Sequence, residues 1–246
     1  DAHQYLDKAV EQGAIALVVQ QANTEIATPQ LVVADTRLAL GQLAKWLREK
    51  INPRTVAMTG SSGKTTVKEM TASILQQTAG NPEAVLFTNG NFNNDIGVPL
   101  TLLRLTEQHK FAVIELGANH QGEIDYTTHL AQPEAALVNN VAAAHLEGFG
   151  SIEGVARAKG EIYRGLTPNG VAIINSEHNY IELWQNEIGS HAIQYFNGGD
   201  YKAKNVEHSP NGSTFMLVSP KGSIEINLPY LGEHNVKNAL AATALA

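Results

Sequence analysis

Thr55-Val-Ala-Met-Thr-Gly-Ser-Ser-Gly-Lys-Thr-Thr-Val-Lys-Glu-Met70 is the stretch that decides the fold of this chain. Its apolar, β-branched start at 55–58 predicts a buried strand, and the apolar spacing after Lys64 predicts a helix. A Gly-Ser-Ser-Gly turn lies between them, so the predicted order is strand, glycine-rich loop, helix. A loop in this position favours phosphate, because its backbone N–H groups and the positive end of the helix converge on an anion.

The side chains of this loop extend the prediction to a nucleotide site. Lys64 would supply a mobile ammonium group, and the Thr65 hydroxyl could ligate Mg²⁺. The candidate nucleotide-binding residues are Gly60, Ser61, Ser62, Gly63, Lys64, Thr65 and Thr66. The full Walker A pattern places glycine where this chain has Met58, so the loop is atypical. The alternative is an ordinary glycine–serine turn between a strand and a helix.

Composition limits the classes of protein that remain. The chain has 246 residues, of which 43% are hydrophobic, and its formal net charge is −7. This acidity argues against binding to nucleic acids or acidic membranes. The chain contains no cysteine, which excludes disulfides, thiolate zinc sites and cysteine nucleophiles. No apolar run has the length of a membrane span, and no signal peptide is recognisable. We expect a cytoplasmic monomer.

Strand and helix patterns alternate from Arg54 to Ile188. This alternation predicts an α/β fold with a mostly parallel sheet and helices on both faces. After Ala192 the pattern changes to short alternating segments at 201–207, 214–219 and 223–228, joined by Pro-Asn-Gly and Pro-Lys-Gly turns. These segments predict a small antiparallel sheet appended to the parallel one. A final helix is expected after Gly232.

Polar residues at the carboxyl ends of parallel strands are the first candidates for chemistry. Glu115 ends the apolar run that begins at Phe111. An unpaired carboxylate is costly to desolvate. A metal ion bound beside a phosphate would offset this cost and would explain a glutamate at this position. The alternative is a glutamate that accepts hydrogen bonds from backbone N–H groups at the rim of the sheet.

His145 and Lys159 are weaker candidates. His145 follows the strand expected at 135–139 and could complete a magnesium shell, although a structural loop histidine is the more common case. Lys159 fits a solvated helix face beside Arg157 and Glu161. The pattern alone gives Lys159 no chemical role.

Two groups of asparagines complete the candidate residues. The loop 89–101 contains Asn91, Asn93 and Asn94, which could either shape a turn or bond a polar substrate. Asn235 and Asn238 lie three residues apart at the start of the last helix, so they share one of its faces. One asparagine could cap the helix, and the second suggests recognition of a flat heterocycle such as adenine.

Together these motifs resemble the Mur ligases, the ATP-dependent amide-bond-forming enzymes of peptidoglycan synthesis. The similarity lies in T-G-x-x-G-K-T at 59–65, G-N-x-N-N-x-I-G-V-P at 90–99, E-L-G-A-N-H at 115–120, and the segment 139–151. The compact loop form of this family has no glycine at the position of Met58. Within the family, the motifs look most like the member that joins D-alanyl-D-alanine to UDP-N-acetylmuramoyl-tripeptide.

The resemblance implies an activity and a role for each candidate residue. ATP would phosphorylate the terminal carboxylate of the UDP-muramoyl-tripeptide, and the amine of D-alanyl-D-alanine would attack the acyl phosphate. The implied roles are phosphate binding by Lys64 and the loop amides, one Mg²⁺ on Thr65 and Glu115, a second on His145 and a carbamylated Lys159, adenine binding by Asn235 and Asn238, and substrate contact by Asn91, Asn93 and Asn94. Lys64, His145 and Lys159 would be the catalytic residues.

The resemblance also implies a domain plan. Residues 1–34 would be the remnant of an N-terminal UDP-binding domain, 35–53 a connecting helix, and 54–246 a central P-loop ATPase-like domain truncated at its C-terminal end. The family's third domain, which closes over the nucleotide, would be absent. We therefore expect this polypeptide to bind nucleotide weakly and to ligate poorly or not at all.

Two other functions remain open. Within enzymes, the chain could be a Mur ligase that adds a different residue, or a folylpolyglutamate synthetase, a more distant relative. From another class, it could be a nucleotide-binding switch of the GTPase type. A switch of that type carries an N/T-K-x-D guanine motif, which the sequence lacks.

Overall fold

The structure is a computed structural model that describes residues 2–143 and 146–246. Its strands are β1 (Leu17–Val19), β2 (Gln30–Val32), β3 (Arg54–Thr59), β4 (Val85–Phe87), β5 (Phe111–Glu115), β6 (Ala135–Val138), β7 (Val171–Asn175), β8 (Ala192–Phe196), β9 (Lys202–Ser209), β10 (Gly212–Ser219) and β11 (Gly222–Leu228). Its α-helices are α1 (Leu6–Glu11), α2 (Thr36–Ile51), α3 (Lys64–Ala79), α4 (Gly97–Leu102), α5 (Glu123–Ala131), α6 (Leu146–Phe149), α7 (Ile152–Gly160), α8 (Ile181–Ile188) and α9 (Glu233–Leu245). Short 3₁₀ helices cover Ala2–Tyr5, Pro82–Ala84 and Glu161–Gly165.

The central sheet of the described residues has six parallel strands in the order β4-β5-β3-β6-β7-β8. From β3 the chain winds to one side to form β4 and β5, and it then crosses β3 to add β6, β7 and β8. The direction of winding therefore changes at β3 and its two neighbours. Ligands of open α/β sheets bind at the carboxyl ends of the strands beside such a change.

Both faces of the central sheet are covered, which explains the continuous apolar runs of its strands. Ala57 of β3 lies in a buried cluster with residues of α2, α4, α5 and α8. Its neighbours Val56 and Met58 point to the opposite face, into a cluster with α3, α9 and β10. Met58 is fully buried there, so it belongs to the core rather than to the loop that comes after it.

The first part of the chain forms a separate parallel pair, β1 with β2. Helix α2 follows and packs on α4 and α5, with Ala44 inside the core. Arg48 of α2 is 4% exposed and donates to the backbone oxygens of Ala131 and Gln132 at 2.9 and 2.8 Å. Helix α2 is thus part of the cover of the central sheet.

A small antiparallel sheet, in the order β11-β10-β9, lies beside the face that α3 and α9 cover. Phe215 and Leu217 of β10 are buried in the same cluster as Val67 of α3 and Leu240 of α9. The outer strands β9 and β11 are largely exposed. This packing joins the antiparallel sheet to the two helices that border the glycine-rich loop.

The structure confirms the predicted fold class and adds two corrections. The sixth strand, β8, falls where the sequence pattern indicates only a change of rhythm. β8 lies at the edge of the sheet beside β7 and is mostly half-buried, so its apolar signal is weak. The sequence pattern from Ile152 to Leu166 predicts one helix, but α7 ends at Gly160 and the chain continues as a 3₁₀ helix. In this 3₁₀ helix the Glu161 carboxylate accepts hydrogen bonds from the backbone N–H groups of Gly122 and Asp125.

Candidate nucleotide and metal site

The glycine-rich loop joins β3 to α3 as the sequence predicts. Gly63 precedes α3 with a φ of +74°, a left-handed conformation that glycine adopts at little cost. A Cβ atom at Gly63 would lie 2.8 Å from both Asn139 Nδ2 and Asn238 Oδ1. Position 63 therefore requires glycine both for its backbone and for the space around it.

Lys64 bends back over this loop. Its Nζ donates to the backbone oxygen of Gly60 at 2.8 Å. Burial lowers the pKa of Lys64, and the Glu115 carboxylate partly offsets that effect. The ammonium group is thus held at the loop, where an incoming phosphate could replace a carbonyl oxygen as its partner.

Glu115 ends β5 beside the loop, since Met58 pairs with Glu115 in the parallel register. The residue is 2% exposed. Its Oε2 accepts a hydrogen bond from the Thr65 hydroxyl at 3.2 Å, and its Oε1 accepts one from Asn93 Nδ2 at 2.7 Å. The tertiary fold therefore brings two predicted metal ligands, Thr65 and Glu115, into contact.

This donor set fits Mg²⁺. The 3.2 Å between Thr65 Oγ1 and Glu115 Oε2 is close to the roughly 3 Å between neighbouring ligands in an octahedral magnesium shell. Among the residues that the structure describes, no group of three or more His, Cys, Asp or Glu side chains could hold a metal. Magnesium here would depend on phosphate oxygens and water for its other ligands, as it does in many nucleotide sites.

The asparagines of the loop after β4 have different positions. Asn93 holds the Glu115 carboxylate, whereas Asn94 Oδ1 accepts from the N–H groups of Ile96 and Gly97 at the start of α4. Asn91 is exposed. Asn94 therefore shapes a turn, which is one of the two alternatives that the sequence left open. Contact of Asn91, Asn93 and Asn94 with a substrate stays a prediction.

Lys159 does not lie on a solvated helix face. It is 4% exposed, and burial together with the charge of Lys64 lowers its pKa to about 8. Within residues 2–143 and 146–246, no side chain forms a hydrogen bond or ion pair with its amine. The second predicted ligand of this metal, His145, lies outside the described residues, so its role stays a prediction.

Asn235 and Asn238 border a pocket of about 400 Å³ between the glycine-rich loop and α9. Asn238 Nδ2 donates to Asn235 Oδ1 at 3.2 Å, and Asn235 Nδ2 donates to the backbone oxygen of Leu231 at 2.8 Å. Tyr230, which is exposed, adds aromatic surface to the lining, and Phe196 lies buried behind it. A flat heterocycle beside the phosphate loop suits the size and the polar groups of this pocket.

Sequence reasoning did not single out Asn139 and Asn140, the two residues that come directly after β6. Asn139 Nδ2 donates to the backbone oxygen of Ser62 at 3.2 Å and to Asn238 Oδ1 at 3.0 Å. Asn140 Oδ1 accepts from the Ser62 N–H at 2.9 Å, and its Nδ2 donates to the Ser62 oxygen at 2.8 Å. Their place at the carboxyl end of a central strand was the signal that could have identified them.

Comparison with known proteins decides the family. A family profile described as the Mur ligase middle domain matches residues 58–246. The chain belongs to the Mur ligase family. The resemblance found in the sequence motifs is thereby confirmed, and the Mur ligase match covers the central sheet from the end of β3 onward, the small antiparallel sheet and α9.

Relatives and solved structures agree with this family. The chain is 80% identical over 246 residues to the UDP-N-acetylmuramoyl-tripeptide--D-alanyl-D-alanine ligase of Haemophilus influenzae, covering all of this chain and 54% of that protein. A crystal structure of MurF from Acinetobacter baumannii matches 99% of this chain and 53% of its own, with a TM-score of 0.92 and 47% identity. A MurF ligase from Thermotoga maritima in complex with ADP has a TM-score of 0.86 and 25% identity over 99% of this chain and 56% of its own.

The matched relatives are longer than this chain. The chain spans about half the length of each of the three proteins named above. Across the described part of the chain, the structure contains no helix that is both long and apolar enough to cross a membrane.

Proposed function

We propose that this chain is the ATP-binding central part of a ligase that joins D-alanyl-D-alanine to UDP-N-acetylmuramoyl-tripeptide in peptidoglycan precursor synthesis. The contact between Thr65 and Glu115 beside the glycine-rich loop carries the proposal, because a Mg²⁺ ion held by these two residues would lie next to the phosphates of a nucleotide bound to the loop. The choice of substrates is supported by the name of the Haemophilus relative at 80% identity. The reaction would take place in the cytoplasm, with the protein as a monomer.

In the proposed complex the nucleotide lies along the loop and into the pocket beside α9. The loop residues 60–66 and the Lys64 ammonium bind the β- and γ-phosphates, and Asn235 and Asn238 bind adenine. Thr65 and Glu115 would hold Mg²⁺, which disperses the charge of the triphosphate as a substrate carboxylate approaches. The ADP in the Thermotoga structure supports nucleotide binding by this fold.

The proposed reaction has two steps. A terminal carboxylate oxygen of the UDP-muramoyl-tripeptide attacks the γ-phosphorus of ATP, and ADP leaves with the electrons of the broken P–O bond. The amine of D-alanyl-D-alanine then attacks the acyl carbon, loses a proton and displaces inorganic phosphate. Lys64 stabilises the charge of the transferring phosphoryl group, and Asn91, Asn93 and Asn94 face the UDP-linked substrate.

Lys159 is the proposed carbamylation site. Its lowered pKa of about 8 raises the fraction of neutral amine to about a tenth at pH 7, and the neutral amine is the form that adds CO₂ with loss of a proton. The new carboxylate would compensate the nearby Lys64 charge and, with His145, would supply ligands for a second Mg²⁺. A carbamate ¹³C signal after incubation with labelled bicarbonate, absent from Lys159→Arg, is the expected result.

The domain plan is part of the proposal. Residues 1–34 belong to a UDP-binding domain, residues 35–53 form a connecting helix, and residues 54–246 form the central nucleotide domain. Helix α2 packs on α4 and α5, which supports the proposal that this connecting helix is attached to the central domain.

Two experiments test the proposed function. Calorimetric titration with ADP and Mg²⁺ should detect binding to this chain, and Lys64→Ala should weaken it about tenfold or more because a charge-assisted contact with phosphate is lost. Lys64→Arg is the matched control that keeps the charge. Absence of any nucleotide binding by the wild-type chain would contradict the nucleotide site.

A chimera tests the substrates. This chain replaces the matching segment of the Haemophilus relative, and phosphate release is measured with ATP, UDP-N-acetylmuramoyl-tripeptide and a panel of amines. We expect release that depends on D-alanyl-D-alanine. Activity with a single amino acid instead would favour another Mur ligase, and preference for GTP would favour a nucleotide switch.

A further inference from the structure

Asn139 lies where the phosphate loop and the base pocket meet. It is the first residue after β6, and it is 4% exposed. Its carboxamide nitrogen donates one hydrogen bond to the Ser62 oxygen in the loop and one to Asn238 Oδ1 on α9. One buried side chain thus bonds both to the loop expected to hold phosphates and to the helix expected to hold the base.

The hydrogen bonds from Asn139 run through α9 in one direction. Asn139 donates to Asn238, Asn238 donates to Asn235, and Asn235 donates to the backbone oxygen of Leu231. The backbone oxygens of Ser62 and Leu231 can only accept, so the amide nitrogens must face along this chain. The Leu231 oxygen fixes the Asn235 carboxamide from one end, and Asn139 fixes from the other end which way the Asn238 carboxamide points.

A fixed amide orientation is what recognition of adenine requires. An asparagine carboxamide bonds adenine through one N–H donor and one oxygen acceptor, in matching geometry. In the chain from Asn139, the Asn238 carboxamide uses one N–H for Asn235 and one oxygen lone pair for Asn139, which leaves one of each. A flipped carboxamide would present the wrong group to the base.

We propose that Asn139 is a positioning residue that couples base recognition on α9 to the conformation of the phosphate loop. The proposal rests on the proposed nucleotide site and deepens it. Asn140 serves as an internal comparison, because its side chain bonds to Ser62 of the loop and, among the described residues, makes no hydrogen bond to α9. Asn140 should thus support the loop alone, whereas Asn139 should also orient the base pocket.

The test compares three probes: ADP and GDP with Mg²⁺, and pyrophosphate, which contacts the loop alone. In the wild-type chain we expect ADP to bind more tightly than GDP. Asn139→Asp places a carboxylate oxygen opposite two acceptors, the Ser62 oxygen and Asn238 Oδ1. It should therefore weaken ADP binding about tenfold or more and bring the ADP-to-GDP affinity ratio close to one. Asn140→Ala should weaken the binding of ADP, GDP and pyrophosphate by similar factors and leave the ADP-to-GDP ratio unchanged.

The outcomes separate this proposal from the proposed function. A wild-type chain that binds no nucleotide would overturn both. If Asn139→Asp and Asn139→Ala keep the ADP-to-GDP affinity ratio of the wild-type chain, the coupling alone is overturned. An equal loss of affinity for ADP, GDP and pyrophosphate would overturn it as well. Where neither variant melts cooperatively, Asn238→Ala decides: coupling requires weaker pyrophosphate binding in this variant, and pyrophosphate binding at the wild-type level would overturn the proposal.

Discussion

Gly63 shows how much of the site depends on one residue. Gly63→Ala places a Cβ atom 2.8 Å from Asn139 and Asn238 and forces alanine to a φ of +74°. We expect it to lose about 2 kcal/mol or more of stability and to bind ADP at least about tenfold more weakly. Chemical denaturation and calorimetric titration measure the two effects.

Gly80→Ala is the matched control for this substitution. Gly80 follows α3 with a φ of +66°, and no atom of the described residues lies within 4 Å of the place that a Cβ atom would take. Its substitution should cost about 1 kcal/mol from backbone strain alone and leave ADP affinity unchanged. Equal effects of the two substitutions on ADP binding would contradict the close-packing argument.

Lys159 gives a prediction about pH. Its folded pKa of about 8 lies below the ordinary lysine value of 10.5, so between these values the unfolded chain binds more protons. The free energy of unfolding therefore rises with pH through this window, as the cost of burying the ammonium group disappears. Without CO₂, metal and nucleotide, Lys159→Met should stabilise the protein at pH 7 by up to about 3 kcal/mol.

Urea denaturation at pH 7 and pH 9.5 measures this effect. We expect the advantage of Lys159→Met to shrink at the higher pH. Lys221→Met, on an exposed turn, controls for the loss of a lysine elsewhere in the chain. An advantage that grows with pH would contradict the assigned direction.

At the scale of elements, helix α5 depends on side chains from elsewhere at both ends. Glu161 accepts from the N–H groups of Gly122 and Asp125 at its start, at 2.8 and 3.1 Å. Arg48 of α2 donates to the backbone oxygens of Ala131 and Gln132 at its end. Helix ends leave such groups without partners inside the helix, so these contacts join α5 to two neighbouring elements.

Arg48→Met tests the contact at the end of α5. The substitution leaves two largely buried carbonyl oxygens without donors and should cost about 3 kcal/mol in the free energy of unfolding. Arg54→Met is the matched control, since Arg54 is exposed and pairs with Glu134 at 2.9 Å on the surface. The control should cost less than about 1 kcal/mol. Similar losses in both variants, measured by urea denaturation, would contradict a structural role for Arg48.

At the scale of the whole molecule, the fold indicates where the chain can be shortened. The β1–β2 pair is separate from the central sheet, whereas α2 contributes Ala44 to the core. A polypeptide of residues 35–246 should unfold cooperatively and bind ADP as the wild-type chain does. A polypeptide of residues 54–246 should melt at lower temperature, because it uncovers the apolar surface that α2 buries.

Thermal unfolding followed by circular dichroism, with ADP titration of each polypeptide, measures these differences. The midpoint of unfolding of each shortened polypeptide is compared with that of residues 1–246. Equal midpoints for 35–246 and 54–246 would show that α2 is dispensable and would contradict its place in the core.

Local patterns predicted much of this fold and part of the site. The strand, loop and helix around Lys64 follow from adjacent residues, and the apolar run before Glu115 placed that carboxylate at a strand end. Strand β8 was missed because an edge strand lacks the continuous apolar pattern of a buried one. The burial of Lys159 was also missed, since a helix pattern with Arg157 and Glu161 does not show which neighbours cover it.

The sequence by itself determined the family, the glycine-rich loop and, apart from β8, the order of the main strands and helices, because these depend on contiguous residues and short spacings. Only the tertiary structure decided that Thr65 contacts Glu115, 50 positions away, and that Asn139 contacts Asn238, 99 positions away. Such contacts depend on strand order and register, which place distant strand ends at one edge of the sheet. For that reason the glycine-rich loop was predictable from the sequence, and its link to α9 through Asn139 was not.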